Sequence, residues 1–312
     1  MNKPRRAPRR RVDGVLLLDK PTGLTSNTAL QKARWLYNAA KAGHTGTLDP
    51  MATGLLPLCF GEATKFAGEL LDADKSYRAT LRLGVTTDTA DAEGQVLATR
   101  PVEVTEERLR AVMVEFLGEI EQVPPMYSAL KRDGKPLYEY ARQGIELERE
   151  PRRVTIHRLD LLSFAGDEAV IDVDCSKGTY VRTLAADIGE RLGCGAHLIA
   201  LRRTRIGRLD LAHAVAIEEL EALSLPERDK RLAPADALVA SLPSVELDAT
   251  ETDRVLHGQA IRHEGETGSR FRLYGARGDF LGIGQLDADG RLQPRRLVAA
   301  GPLGQAESAE KQ

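Results

Sequence analysis

The stretch GHTGTLDPMATG, Gly43 to Gly54, projects one carboxylate, Asp49, from a loop that is free at its ends and stiff at its tip. Gly43, Gly46 and Gly54 let the backbone come close to a ligand, and Pro50 restrains the point from which the acid projects. An Asp before Pro is often only a turn former, but here His44 shares the loop. A phosphate loop would need GxxxxGK[ST], and with no lysine there nucleotide binding of that kind is not expected. In a second stretch, SKGTYVRTLAADIG, Ser176 to Gly189, a strand gives way to a helix with Tyr180 and Arg182 at the junction. An arginine near a helix start opposes the helix dipole, so an anion should hold it there, and a carboxylate is the natural partner. The third is Lys75-Ser76-Tyr77. Only 4% of residues are aromatic, and two tyrosines beside polar, glycine-flanked motifs suit stacking platforms. Taken singly, each has a plainer explanation as a turn acid, a surface arginine or a core tyrosine.

The elements around these residues follow from their periodicity. VDGVLLLDKP reads as a buried strand ending at Lys20, and TSNTALQKARWLYN as a capped helix. LLPLCF reads as a strand and EATKFAGELL as helical, while KSYRATLRLG alternates as a half-buried strand with Tyr77, Ala79, Leu81 and Leu83 on one face. TTDTADAEGQV is turn-rich, and TEERLRAVMVEFLGEI predicts a helix capped by Thr105. RRVTIHRLDLLSF and AVIDVDCS alternate as antiparallel strands, and AHLIALRRTRIGRLD returns as a strand carrying arginines. Between them Pro124 to Arg153 is charged and tyrosine-bearing, with seven bases against five acids, and reads as an arm leaving the core. Strands and helices mix without a regular βαβ repeat. The expected class is therefore α+β, a mixed, mostly antiparallel sheet flanked by helices. Past Pro243, short strands with glycine turns predict a small β-rich domain.

Composition narrows the function. A chain of 312 residues, 42% hydrophobic, can build a large domain and a small one, and its apolar runs fall far short of the roughly 20 residues of a membrane span. Neither a signal peptide nor a membrane is expected, which places the chain in the cytoplasm. Cys59, Cys175 and Cys194 are odd in number and scattered, as for buried thiols, and Cys194 with His197 lacks the second pair a zinc site needs. The net charge of -2 excludes a uniformly basic surface, although the first eleven residues hold six basic side chains and no acid.

Taken in order, DGVLLLDKPTGLTS, KAGHTGTLDPMATGLLPLCFGEATKF, DKSYRATLRLG, QVPPMYSALKRDGKPLYEYARQG and CSKGTYVRTLAADIGERLGCGAHLIALRRTRIG resemble the TruB class of pseudouridine synthases, the bacterial tRNA pseudouridine-55 synthases, over roughly residues 12–210. Composition makes residues 1–11 a basic disordered tail, which the resemblance does not explain; the resemblance implies a catalytic domain at 12–242 with a thumb-like insertion at about 124–153 and a PUA-like RNA-binding domain at 243–305, followed by a disordered tail at 306–312. It implies isomerisation of uridine at position 55, in the T-loop of tRNA, with no cofactor and no metal. Asp49 would be the nucleophile and Arg182 its ion-pair partner. Tyr77 would stack on the flipped uracil and accept a proton, with Tyr180 and Leu201 as further contacts around the nucleotide and Lys20 as a supporting charge. His44 would fill the space the extruded base leaves. The partner is the T-stem-loop of tRNA, with a monomer and no protein partner expected and an accessory tRNA-folding role open. Whether attack falls on ribose or base stays open, as do a guide-RNA-dependent synthase, a non-catalytic RNA-binding protein and a base-excising hydrolase.

Overall fold

The computed structural model describes residues 8–299; the expected tail at 306–312 and most of the one at 1–11 lie outside them. A ten-stranded mixed sheet organises the larger part. Its order is Val215–Ala216, Gly14–Lys20, Thr53–Phe60, Ala196–Ile206, Lys75–Leu83, Glu168–Cys175, Arg152–Ala165 and Gly118–Gln122, with Ala42–His44 added beside Thr53–Phe60 and Leu209–Asp210 beside Ala196–Ile206. Two contacts are parallel, Gly14–Lys20 with Val215–Ala216 and Thr53–Phe60 with Ala196–Ile206, and the others antiparallel. Thr53–Phe60 is buried at all but its first residue, whereas Lys75–Leu83 buries Ala79, Leu81 and Leu83 and leaves Arg78 exposed. The α+β expectation and the alternation behind it hold.

Two helices complete the main core. Ser26–Leu36 begins where the Thr25 hydroxyl accepts from the Thr28 amide, and it buries Ala29, Leu30, Ala33 and Leu36. Val181–Leu192 buries Leu184, Ala185 and Ile188 and stops at Gly193, whose φ of 89° suits a residue without Cβ. All three cysteines are free and buried, and burial pushes the thiols of Cys59 and Cys175 up to about 12. No helix among the described residues is long and apolar enough to cross a membrane.

Three local expectations need correction. The helix expected over TEERLRAVMVEFLGEI spans only Glu106–Val114; Gly118 takes φ 87° and the chain continues as strand Gly118–Gln122 against Arg152–Ile156. EATKFAGELL forms two short 3₁₀ turns, Gly61–Lys65 and Ala67–Leu70, interrupted at Phe66 with φ -107° and ψ 1°. Arg10, assigned to the tail, is built into the fold: its amide donates to Asn38 O at 2.9 Å, and its guanidinium forks onto Asp229. The C-terminal segment is β-rich as expected, a five-stranded sheet, and adds one helix, Ala249–Leu256, started by a reciprocal Asp248/Glu251 capping box.

That small sheet, in the order Ser244–Glu246, Arg270–Tyr274, Phe280–Leu286, Arg291–Leu297 and Ile261–Arg262, shares apolar packing with the large one. Ile283 is buried in a cluster with Val15, Leu55 and Leu238, and the rings of Phe66 and Phe280 lie 5.3 Å apart. Arg270 pairs with Glu69 at 2.6 Å across the same seam.

Candidate active site

One row across the sheet brings four of the relevant positions together. Lys20 stands opposite Gly54, Gly54 opposite Arg203, and Arg203 opposite Tyr77. Residues opposite one another project to the same face, so this register aligns the Arg203 and Tyr77 side chains. Gly54 permits the close approach: a Cβ there would lie 2.3 Å from Arg203 O, and its φ is 97°. Leu201 stands opposite Ala79, two residues along on the same face, and is 8% exposed.

The Asp49 loop leaves Ala42–His44 and enters Thr53–Phe60, and it is pinned by more than its proline. Ser26 Oγ donates to Leu48 O at 3.0 Å and accepts from the Leu48 amide at 2.8 Å. Lys20, fully buried, donates through Nζ to Pro21 O, Leu24 O and Pro50 O at 2.9, 2.6 and 3.2 Å. Burial lowers the Lys20 ammonium to about 8, although Asp49 pulls the other way.

Arg182 is the hub. It emerges in the first turn of Val181–Leu192, is 4% exposed, and directs Nε to Asp49 Oδ2 at 3.0 Å. Nη1 reaches Asp91 Oδ2 at 3.4 Å and Thr89 O at 3.1 Å, and Nη2 donates to Tyr127 O at 2.6 Å. One guanidinium thus joins the Asp49 loop, the turn around Asp91 and the base of the arm. The anion expected from the helix-dipole argument is present twice over. The Asp49 side chain remains 36% exposed, so a substrate can meet it. Burial raises its carboxyl above the ordinary range, Arg182 and Lys20 oppose that, and Asp91 adds to it.

Tyr77 is held as a neutral phenol, because burial raises it while the neighbouring Arg203 guanidinium works in the opposite direction. Arg203 itself is 2% exposed and donates to Leu55 O at 2.8 Å, with no carboxylate within ion-pair distance among the described residues. His44 is partly buried; burial and Arg203 lower its imidazole, and its Nδ1 is buried without a hydrogen-bond partner. Tyr180 caps the start of the Arg182 helix, and its backbone amide and carbonyl are both held by the Gln122 side chain at 3.1 and 3.4 Å.

The structure therefore gathers Asp49, Arg182, Lys20 and Tyr77 as expected, with Leu201 on the same face as Tyr77 and His44 in the Asp49 loop. Two participants escaped the sequence. Asp91 lay among the acids of TTDTADAEGQV, where nothing in the spacing separates it from Asp88; its burial, 3% exposed, is a tertiary fact. Arg203 is one of the four arginines of AHLIALRRTRIGRLD, with Arg202, Arg205 and Arg208, and their surroundings differ. Arg202 pairs with Asp19 at 2.6 Å and Arg205 reaches Ser76 at 3.0 Å, while the strand alternation turns Arg203 inward beside Leu201. In the arm, Arg149 and Arg153 pair with Glu146 and Glu119 at 3.2 Å each, so two of its seven bases are already matched by acids.

An ion-paired aspartate on a stiff turn, a neutral tyrosine two strands across the sheet and a histidine with an unpartnered Nδ1 supply the groups that nucleophilic attack on a planar substrate would use. Residues 34–181 match the model of the N-terminal domain of TruB family pseudouridylate synthases, 182–240 the C-terminal domain of tRNA pseudouridylate synthase B, and 243–298 the C-terminal model of pseudouridine synthase II TruB. The chain is 61% identical over 298 residues to a tRNA pseudouridine synthase B of Aromatoleum aromaticum, covering 96% of each protein. The chain belongs to the TruB family. Another relative, from Azoarcus sp. (strain BH72), is 62% identical over 95% of this chain and 98% of that one. Among solved structures, a chain of a Cbf5-Nop10-Gar1 complex is 26% identical with TM-score 0.71, covering 91% of this chain and 84% of that chain. A chain of an H/ACA RNP bound to a substrate RNA shares the fold at 23% identity and TM-score 0.71, covering 92% of this chain and 85% of that chain. TruB membership makes the protein a pseudouridine synthase with the α+β fold of that enzyme class.

Proposed function

We propose that this TruB-family chain isomerises uridine to pseudouridine in the T-loop of tRNA, with Asp49 as the nucleophile. The observation that carries the assignment is the 3.0 Å contact between Asp49 and a buried Arg182, which keeps the acid ionised and aimed while one side stays open. The reaction breaks the bond from N1 to C1′, forms one from C5 to C1′, removes the proton of C5 and returns one to N1. Reactant and product are isomers, so neither an electron carrier nor a co-substrate enters the balance.

The base must leave the RNA stack before Asp49 can reach its nucleotide, at a cost of a few kcal/mol. His44, neutral and with Nδ1 unpartnered, replaces part of that stacking from the opening loop. Tyr77 stacks on the extruded uracil, and Tyr180 and Leu201 bound the nucleotide. Taking the C5 proton would require Tyr77 as phenolate, a state the Arg203 charge favours and burial opposes. The arm, joined to Arg182 through Tyr127 O, clasps the T-stem-loop. Residues 243–305 serve as a PUA-like RNA-binding domain, and the enzyme works as a cytoplasmic monomer.

Relatives at about 60% identity over nearly the whole chain carry the name tRNA pseudouridine synthase B, whereas likeness to the chains of the H/ACA RNP and the Cbf5-Nop10-Gar1 complex stands at 23–26%. This favours direct action on tRNA over guide-RNA dependence. The test is incubation of purified protein with an unmodified T-stem-loop RNA, with no cofactor and no guide, followed by mapping of pseudouridine. Formation at the single T-loop uridine is expected; free uracil, or no product without a guide, overturns the assignment. Asp49→Asn keeps the shape and removes the nucleophile, so RNA affinity should persist while product falls below about 1% of wild type.

A further inference from the structure

Lys20, Arg182 and Arg203 are all buried around the candidate active site, and their charges are met in different ways. Arg182 has the carboxylates of Asp49 and Asp91, and Lys20 directs its three N–H groups at three carbonyls. Arg203 has neither. Its Nε donates to Leu55 O at 2.8 Å and its Nη2 to Gly46 O at 3.4 Å, which leaves the rest of the fork without a carboxylate among the described residues. The acidic group its guanidinium meets is the Tyr77 phenol, which stands opposite it in the sheet.

The two carbonyls fix where this charge sits. Leu55 belongs to strand Thr53–Phe60 and Gly46 to the loop that carries Asp49, so the guanidinium beside Tyr77 is held in register with the candidate nucleophile. A charge buried without an anion is costly, and the site is therefore stabilised when an anion forms beside it. A Tyr77 phenolate is such an anion. The other titratable groups acting on the phenol are Cys175, on the strand Glu168–Cys175 beyond it, and Asp49, and both oppose its ionisation, as burial does. Arg203 alone among these neighbours favours it. Being shut away from solvent, Arg203 acts through Tyr77 and not on the RNA.

We propose that Arg203 is a positioning residue for the second half of the isomerisation, its fixed and solvent-excluded charge stabilising Tyr77 as phenolate while the C5 proton is taken. In that step the phenolate oxygen forms the O–H bond, the C5–H pair returns to the ring as the C5–C6 double bond, and the charge passes to N1, which takes a proton. One proton leaves C5 and one reaches N1, so the Arg203–Tyr77 pair ends the cycle with the charge it began with. The inference rests on the assignment above and adds to it the group that makes a buried tyrosine basic enough to act.

The test uses the full chain with a T-stem-loop RNA bearing hydrogen or deuterium at C5 of the target uridine, and it reads the ratio of the two kcat values. Arg203→Gln removes the charge and keeps a donor for Leu55 O. Its kcat should fall about hundredfold, the lower end of what a placed proton acceptor contributes, and the ratio should rise above that of wild type as C5 proton removal becomes the slow step. KM should stay within about threefold of wild type, since no part of Arg203 reaches the RNA. Arg203→Lys keeps a cation without the fork, so its kcat and its ratio should lie between those of wild type and Arg203→Gln. A purely structural Arg203 would lower the folding midpoint and the yield of active protein but leave the ratio at the wild-type value. That result in Arg203→Gln, or in Arg203→Lys should the glutamine variant not fold, overturns the proposal. Absence of pseudouridine from wild type would instead overturn the underlying assignment.

Discussion

Lys20 and Asp91 make opposite demands on the Asp49 carboxyl, and these can be separated by pH. With Asp49 as the proposed nucleophile, attack requires the carboxylate, so the acid limb of kcat/KM should follow the Asp49 carboxyl and lie above the ordinary Asp value of about 3.9. Lys20 favours the ionised form. Replacing it in Lys20→Met should raise the Asp49 carboxyl further and shift that limb to higher pH, and the lost bonds to Pro21, Leu24 and Pro50 carbonyls should lower stability by about 1–3 kcal/mol. Asp91 has the reverse sign, since its charge disfavours ionised Asp49. In Asp91→Asn the limb should move to lower pH while the plateau falls about tenfold or more, because a buried Arg182 loses one of its two carboxylates and its aim. A plateau at the wild-type level would show that Asp91 does not help position Arg182. Lys20 also bears on stability directly. Its folded value of about 8 lies below the 10.5 of an unfolded lysine, so between those pH values the unfolded chain binds the additional proton and stability from this group rises with pH. Relative to Lys20→Met, wild type should gain stability over that interval in denaturant titrations at stepped pH.

At the scale of elements, the site depends on register. Gly54→Ala would force a Cβ into the backbone of Arg203 and into a φ of 97°, and should lower stability by about 1–3 kcal/mol with loss of most activity, measured by denaturant midpoint and turnover. A midpoint equal to wild type would mean the strands separate there at no cost. The elements holding Asp49, Tyr77 and Arg182 were legible because local rules suffice: strand alternation in KSYRATLRLG, a threonine cap before SNTALQKARWL, a glycine after ERL. The failures share one cause. The end of the Glu106–Val114 helix, the 3₁₀ turns after Gly61 and the burial of Asp91 are decided by which strand or guanidinium lies alongside, and spacing carries no record of that neighbour. Arg203 lay between the two cases: the parity that put Leu201 inward also put Arg203 inward, but an unpaired buried guanidinium runs against expectation for its residue type.

For the whole molecule, the shared seam between the two sheets matters more than the boundary near Pro243. Phe280 is partly buried and packs against Phe66 with the two rings tilted, so Phe280→Ala should cost about 2 kcal/mol and be felt in both parts, with loss of activity tracking loss of folded protein in a thermal ramp. Two separate transitions in that variant would show that the seam does not couple them. The coupling has a bearing on heat damage. Because Val15 and Leu55 meet Ile283 in one cluster, neither part can melt and leave the other's apolar side dry. Overheated molecules should therefore disappear as whole units, and few would persist as inert decoys that occupy RNA without modifying it.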